Sequence, residues 1–127
     1  MSYDLCFWRA WPGAETEPKI ICDALANEDE PFGLEWLQVD AVKEQFRRLF
    51  PDIEDSGNEL TWEGSGSYFQ VSWPIGSKPR HTLGVFVECG FSLLDHPAVT
   101  RQIMSVAREL GCGVYNPQID DWLPPRP

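Results

Sequence analysis

The feature that most narrows the folds open to this chain is a switch of hydrophobic period between Thr82 and Asn116. From Thr82 to Cys89 the side chains of Leu83, Val85, Val87 and Cys89 fall on alternate positions, the period of a strand with one buried face. Beyond a short break, Val99, Ile103, Val106, Ala107 and Leu110 recur at the spacing of one helical face. Asp95 is placed to cap that helix, Pro97 falls in its first turn where no amide proton is needed, and Gly111 suits the left-handed turn that ends it. The chain then returns through Val114 and Tyr115. A strand and a helix with one apolar side each must bury those sides against one another, so this segment predicts half of a two-layer α/β sandwich.

Tyr3 to Trp8 carries bulky side chains on both faces, which suits a strand near the centre of a sheet. Pro12 and Gly13 end it, and Thr16 is placed to cap a helix that starts with Glu17 and Pro18 and presents Ile20, Ile21, Ala24 and Leu25. This helix ends in Glu28-Asp29-Glu30, where the helix dipole disfavours negative charge, before Pro31 stops it. Phe32 to Leu37 reads as an aromatic linker. A second helix is expected from about Asp40, with Val42, Phe46, Leu49 and Phe50 inward and Pro51 at its end. Asp52 to Asn58 reads as an acidic loop. Leu60 and Trp62 belong to a strand joined through Gly64-Ser65-Gly66-Ser67 to a second strand, Tyr68 to Trp73. The glycines lack the lysine and following helix of a phosphate loop, so a hairpin is the expected element. Pro74 to Arg80 is a connection whose Lys78 and Arg80 form one of the few basic spots.

Setting aside the first helix and one hairpin strand leaves βαββαβ. The expected fold is therefore α+β: a single domain over residues 1–127, built as a two-layer sandwich. It is a ferredoxin-like βαββαβ variant with a mostly antiparallel sheet and helices on one face. Residues 119–127 are expected to be an irregular tail. The second face, carrying Trp8, Tyr68 and Phe86, would be partly open, with Trp11, Trp36 or Trp122 available to pack over it.

Composition limits the function. Twenty acidic residues against ten basic ones give a formal net charge of -10. Such a surface repels phosphate backbones and anionic lipid heads, so neither nucleic acid nor a membrane is the expected partner; a basic protein is. No apolar run is long enough for a membrane helix, and Met1-Ser2-Tyr3-Asp4 lacks the features of a signal peptide, so the expected compartment is the cytoplasm. Cysteines at positions 6, 22, 89 and 112 have no metal-like spacing and read as buried free thiols.

The chain resembles a family of small acidic bacterial proteins. The likeness lies in Met1-Ser2-Tyr3-Asp4-Leu5-Cys6-Phe7-Trp8, in Trp62 with its hairpin, and in the ending from Ala107 through Gly111-Cys112-Gly113-Val114-Tyr115-Asn116-Pro117-Gln118. Some similar proteins are immunity proteins, encoded beside a polymorphic toxin that they neutralise. The family ending carries an aspartate where this chain has Asn116. An amide neither carries charge nor moves a proton, which leaves that position a structural part in the turn.

No dinucleotide fingerprint, serine elbow, zinc-protease or calcium motif is present. The resemblance and the charge imply an immunity protein that neutralises a cognate toxin through an acidic surface. The candidate partner-binding residues are Glu28, Asp29 and Glu30 on one loop and Asp52, Glu54, Asp55 and Glu59 on another, with Trp11, Trp36 and Trp122 as aromatic anchors. The alternative is a small cytoplasmic enzyme or ligand-binding domain using a pocket of Cys89, His96 and Asn116. No metal or cofactor is expected in either case, and the oligomeric state is open.

Overall fold

The computed structural model describes residues 2–14, 17–64, 66–90 and 96–125. Among them lie strand β1 (Ser2–Trp8), helix α1 (Pro18–Ala26), strand β2 (Leu37–Gln38), helix α2 (Val39–Leu49) and strands β3 (Glu54–Asp55), β4 (Glu59–Gly64) and β5 (Ser67–Ser72). Strands β6 (His81–Thr82) and β7 (Val85–Gly90), helix α3 (Pro97–Glu109) and strands β8 (Gly113–Asn116) and β9 (Asp121–Leu123) complete the set. The fold is mixed α+β. Seven strands form one sheet in the order β3-β4-β5-β7-β1-β8-β9, every pair antiparallel, and β2 pairs with β6 in a separate ribbon.

On the first face of the sheet, Leu5 and Phe7 of β1, Phe69 and Val71 of β5, and Val85 and Val87 of β7 pack under α2 and α3. Phe46 of α2 sits between Phe7 and Phe69, with ring centroids 6.4 and 6.1 Å away. Each such buried ring contributes about 1.5–3 kcal/mol of apolar transfer. Helix α3 stops as its sequence implies. Gly111 turns left-handed at φ 74°, and the amides of Gly111 and Cys112 close on the carbonyls of Arg108 and Ala107.

The helices are not confined to one face. Helix α1 covers the second face over β1 and β8, where Ile21, Cys22 and Leu25 pack on Cys6, Trp8 and Tyr115. The cause is the feature that put β1 inside the sheet: with Phe7 directed one way and Trp8 the other, both sides of β1 need cover. Trp8 is fully buried and stacks on Trp122 with centroids 4.8 Å apart.

Three local expectations are corrected. The strand expected over Thr82–Cys89 breaks at Leu83–Gly84, because the Thr82 hydroxyl donates to the Gly84 carbonyl (2.8 Å) and accepts from its amide (3.3 Å). The break sends Leu83 to the second core cluster, away from the face of Val85 and Val87. The acidic segment after Pro51 contains β3, an edge strand paired with β4, before the turn at Gly57. The stretch read as an irregular tail contains β9, seated on β8. Thr16 and Asp95, read as helix caps, lie outside the described residues; the cap positions of α1 and α3 are held by Glu17 and His96.

Candidate protein-binding face

Among the described residues, helix α1 covers only part of the second face, and the part it leaves uncovered is acidic. Residues directly opposite on paired strands share a face, so one row can be followed across the sheet: Asp4 of β1, Glu88 of β7, Gln70 of β5, Thr61 of β4 and Glu54 of β3. Glu59 and Glu63 flank Thr61 on β4 at period two. Tyr68, 41% exposed, lies opposite Glu63. Five carboxylates thus share this side of β1, β3, β4 and β7, and the strand residues on it include no lysine or arginine.

The arrangement carries an electrostatic cost. Asp4 and Glu88 are direct cross-strand partners, a placement that disfavours two like charges. Partial burial first, and the neighbouring Glu88 carboxylate second, raise the Asp4 pKa above the usual carboxylate value. Glu59 is steadied by the Gln70 amide, which donates to its carboxylate at 2.6 Å. Glu54 and Glu63 border a small cleft of about 140 Å³ with Asp52 and Thr61.

The acidic segment from Asp52 to Glu59 divides according to backbone alternation. Glu54 and Glu59 belong to the bare face, whereas Asp55, one residue on from Glu54, turns to the helix side. There it pairs with Lys43 (3.1 Å) and Arg47 of α2 and accepts from the Gly57 amide (2.8 Å). Those contacts, the Gly57 hydrogen bond foremost, lower its pKa. Glu28 takes a left-handed φ of 59° at the end of α1, and Asp29 closes the helix through its amide to Ala24. Glu30 accepts hydrogen bonds from the Ser77 hydroxyl and amide, which lower its pKa and tie its loop to the Pro74–Arg80 connection.

Of the three tryptophans named as anchors, Trp11 is 44% exposed and meets Phe32, itself 83% exposed, edge to face at 4.8 Å. Trp36 and Trp122 are half-buried and wall the second core cluster, Trp36 against Gly76 and Trp122 against Trp8. Asn116 accepts from the Gln118 amide (3.1 Å) and helps line a cleft of about 350 Å³ with Leu5, Met104, Val114 and Arg101. Cys89 is buried in the first core, and His96 holds the start of α3; neither lines that cleft. Among the described residues, no group of three or more histidines, cysteines, aspartates or glutamates is arranged to hold a metal ion. No described helix is long and apolar enough to cross a membrane.

Asp4, Glu63 and Glu88 were not singled out from the sequence. The signal existed: strand alternation that turns Val85, Val87 and Cys89 inward must turn Glu88 outward. What was missing was the pairing that sets Glu88 beside Asp4. The fold and this face together define an α+β protein with an acidic sheet surface that none of the described helices covers. In comparisons with known proteins, no family model, curated protein or solved structure matches this chain.

Proposed function

We propose that the protein is a cytoplasmic immunity protein that binds a cognate bacterial toxin through its acidic sheet face and so neutralises it. The carrying observation is the unbalanced carboxylate row, with Asp4 set against Glu88 and no strand cation on that face. A local cost without local compensation points to a use outside the fold, and a basic protein surface supplies the missing charge. Such a field raises encounter rates by about 10- to 1,000-fold at low salt. Tyr68 on the face, and Trp11 with Phe32 beside the Glu28–Glu30 loop, supply exposed aromatic surface of the kind that anchors interfaces.

The test is co-expression with the toxin domain encoded beside it, read by growth and by co-purification. The paired variant Glu59→Lys/Glu88→Lys is expected to lose both protection and association, while Glu109→Lys on α3 keeps both. Full protection by the paired variant, or no association with the native chain, would end the proposal.

We read the architecture as a ferredoxin-like variant. Its support is the order β5-β7-β1-β8 with α2 between β1 and β5 and α3 between β7 and β8, which leaves β4, β3 and β9 as additions at the edges and α1 as an added cover. The alternative function, a small enzyme or ligand-binding domain at Cys89, His96 and Asn116, has less support, since Asn116 lines the cleft of about 350 Å³ and Cys89 and His96 do not share that lining. Intact cellular function in His96→Ala would count against it.

A further inference from the structure

The scarce positive charge of this chain is not evenly spread. A cleft of about 550 Å³ between the start of α2 and the Pro74–Arg80 connection is lined by Lys43, Lys78, Arg80 and His81. These are three of the ten lysines and arginines and one of the two histidines. Lys43 is committed within the fold: it pairs with Asp55 and donates to the Gly57 carbonyl, both at 3.1 Å, and its ammonium lies 5.7 Å from the centre of the Trp73 ring. Lys78 and Arg80 have no ion pair among the described residues, and Asp40 is the one carboxylate in the same lining.

The basic connection is held in place on several sides. Ser77 is bound by Glu30, the Arg80 carbonyl accepts from the Val39 amide (3.0 Å), and β6 pairs with β2 directly beyond it. Arg80 itself is kept at φ 61°, a left-handed conformation that a non-glycine residue adopts at a cost. His81 Nδ1 lies 2.8 Å from the Pro79 carbonyl, the geometry of a donated N–H that ties the end of the connection to its own backbone. A solvated basic loop has no need of such fixing. A loop held with its cations together is preorganised for an anion, because it avoids the ordering cost on binding. The apolar side of the cleft is formed by Trp73, Pro74 and Ile75, and Ile75 is 78% exposed.

We propose that this cleft is a binding site for a small phosphomonoester with an apolar or aromatic body. The phosphate would sit between Lys78 and Arg80, and the body would lie along Trp73 and Ile75. A dianion matches the two unpaired cations, and a guanidinium offers the fork that phosphate oxygens accept from. The occupant is small because a net charge of -10 repels an extended polyanion, whereas one compact anion can enter a local positive cleft. The site is separate from the acidic face, so its failure would leave the toxin-binding proposal untouched.

The test is titration of the full-length, ¹⁵N-labelled protein with phenyl phosphate near pH 7.5, followed by amide and indole resonances. Saturable shifts are expected at the Trp73 indole and at Lys78 to His81. Lys78→Ala combined with Arg80→Gly, which retains the left-handed backbone, should raise Kd about tenfold or more. Phenol, the same ring without its phosphate, should give no saturable shift over the same range. Three results would each overturn the proposal: shifts as large around Lys19, Arg101 and Arg108 as in the cleft, phenol binding as well as phenyl phosphate, or an unchanged Kd in the double variant with its remaining spectrum intact.

Discussion

Replacing Glu88 with glutamine tests the physical basis of the acidic face without assuming any partner. Glu88 stands opposite Asp4 on one side and Gln70 on the other, so the amide keeps the shape of the row and removes one charge. Directly opposed residues lie about 5 Å apart, and two unit charges at that distance repel by about 0.8 kcal/mol in a water-like dielectric. Screening at about 0.1 M salt lowers this to about 0.5 kcal/mol. Glu88→Gln should therefore be more stable than the native chain by about 0.5 kcal/mol, or about 2 °C in Tm, measured by thermal and urea unfolding followed by circular dichroism. In 1 M salt, where the screening length is about 3 Å, the gain should vanish. Acid should remove it too. Because the folded-state pKa of Asp4 is raised above its unfolded value of 3.8, its stabilising effect is fully present below that value and is lost as pH rises through the folded-state pKa. The native chain thus recovers on acidification what the variant gains at neutral pH. A variant less stable than the native chain at low salt, or a gain that persists in 1 M salt, would refute the reasoning.

Phe46→Ala should cost about 3–5 kcal/mol in urea unfolding, since it empties a fully buried position between Phe7 and Phe69. Asp55→Asn should lose about 0.5–1 kcal/mol at neutral pH, a figure already discounted for the exposure of its ion pairs. The Asp55 pKa is depressed, so that contribution is present above the unfolded value of 3.8 and lost as pH falls through the folded value; equal acid profiles for variant and native protein would refute the assignment. Among the thiols, Cys22 should be alkylated first in the native protein at pH 8. A hydrogen bond from Cys6 lowers the Cys22 pKa, while burial raises that of Cys6 and pushes Cys112 up to about 12. Peptide mapping showing Cys6 or Cys112 modified at the same rate would contradict this.

The local elements were largely legible before the structure because they rest on short-range periodicity. Helix α2 follows from Val42 and Phe46 at helical spacing, α3 from Ile103, Val106 and Ala107 with Gly111 behind them, and the β4–β5 hairpin from Trp62, Phe69 and the turn at Gly66 between the strands. The break at Thr82–Gly84 was hidden, since an apolar alternation runs through it and only the threonine hydroxyl bonds reveal the turn. The edge strands β3 and β9 were hidden for another reason. Segments of two and three residues carry too little pattern of their own and form because a longer neighbour offers them its free edge.

By itself the sequence determined the charge, the identity of the three described helices and of the longer strands, and the alternation of side chains along those strands, because each depends on residues within a few positions of one another. Only the tertiary structure decided how the carboxylates are grouped. Strand pairing places Glu88 beside Asp4, alternation sends Asp55 to α2 and Glu54 to the open face, and the fixed 74–80 connection gathers Lys78, Arg80 and His81 into one cleft. Electrostatic energy depends on distance through space, and distance through space between residues far apart in the chain is set by the register of the sheet.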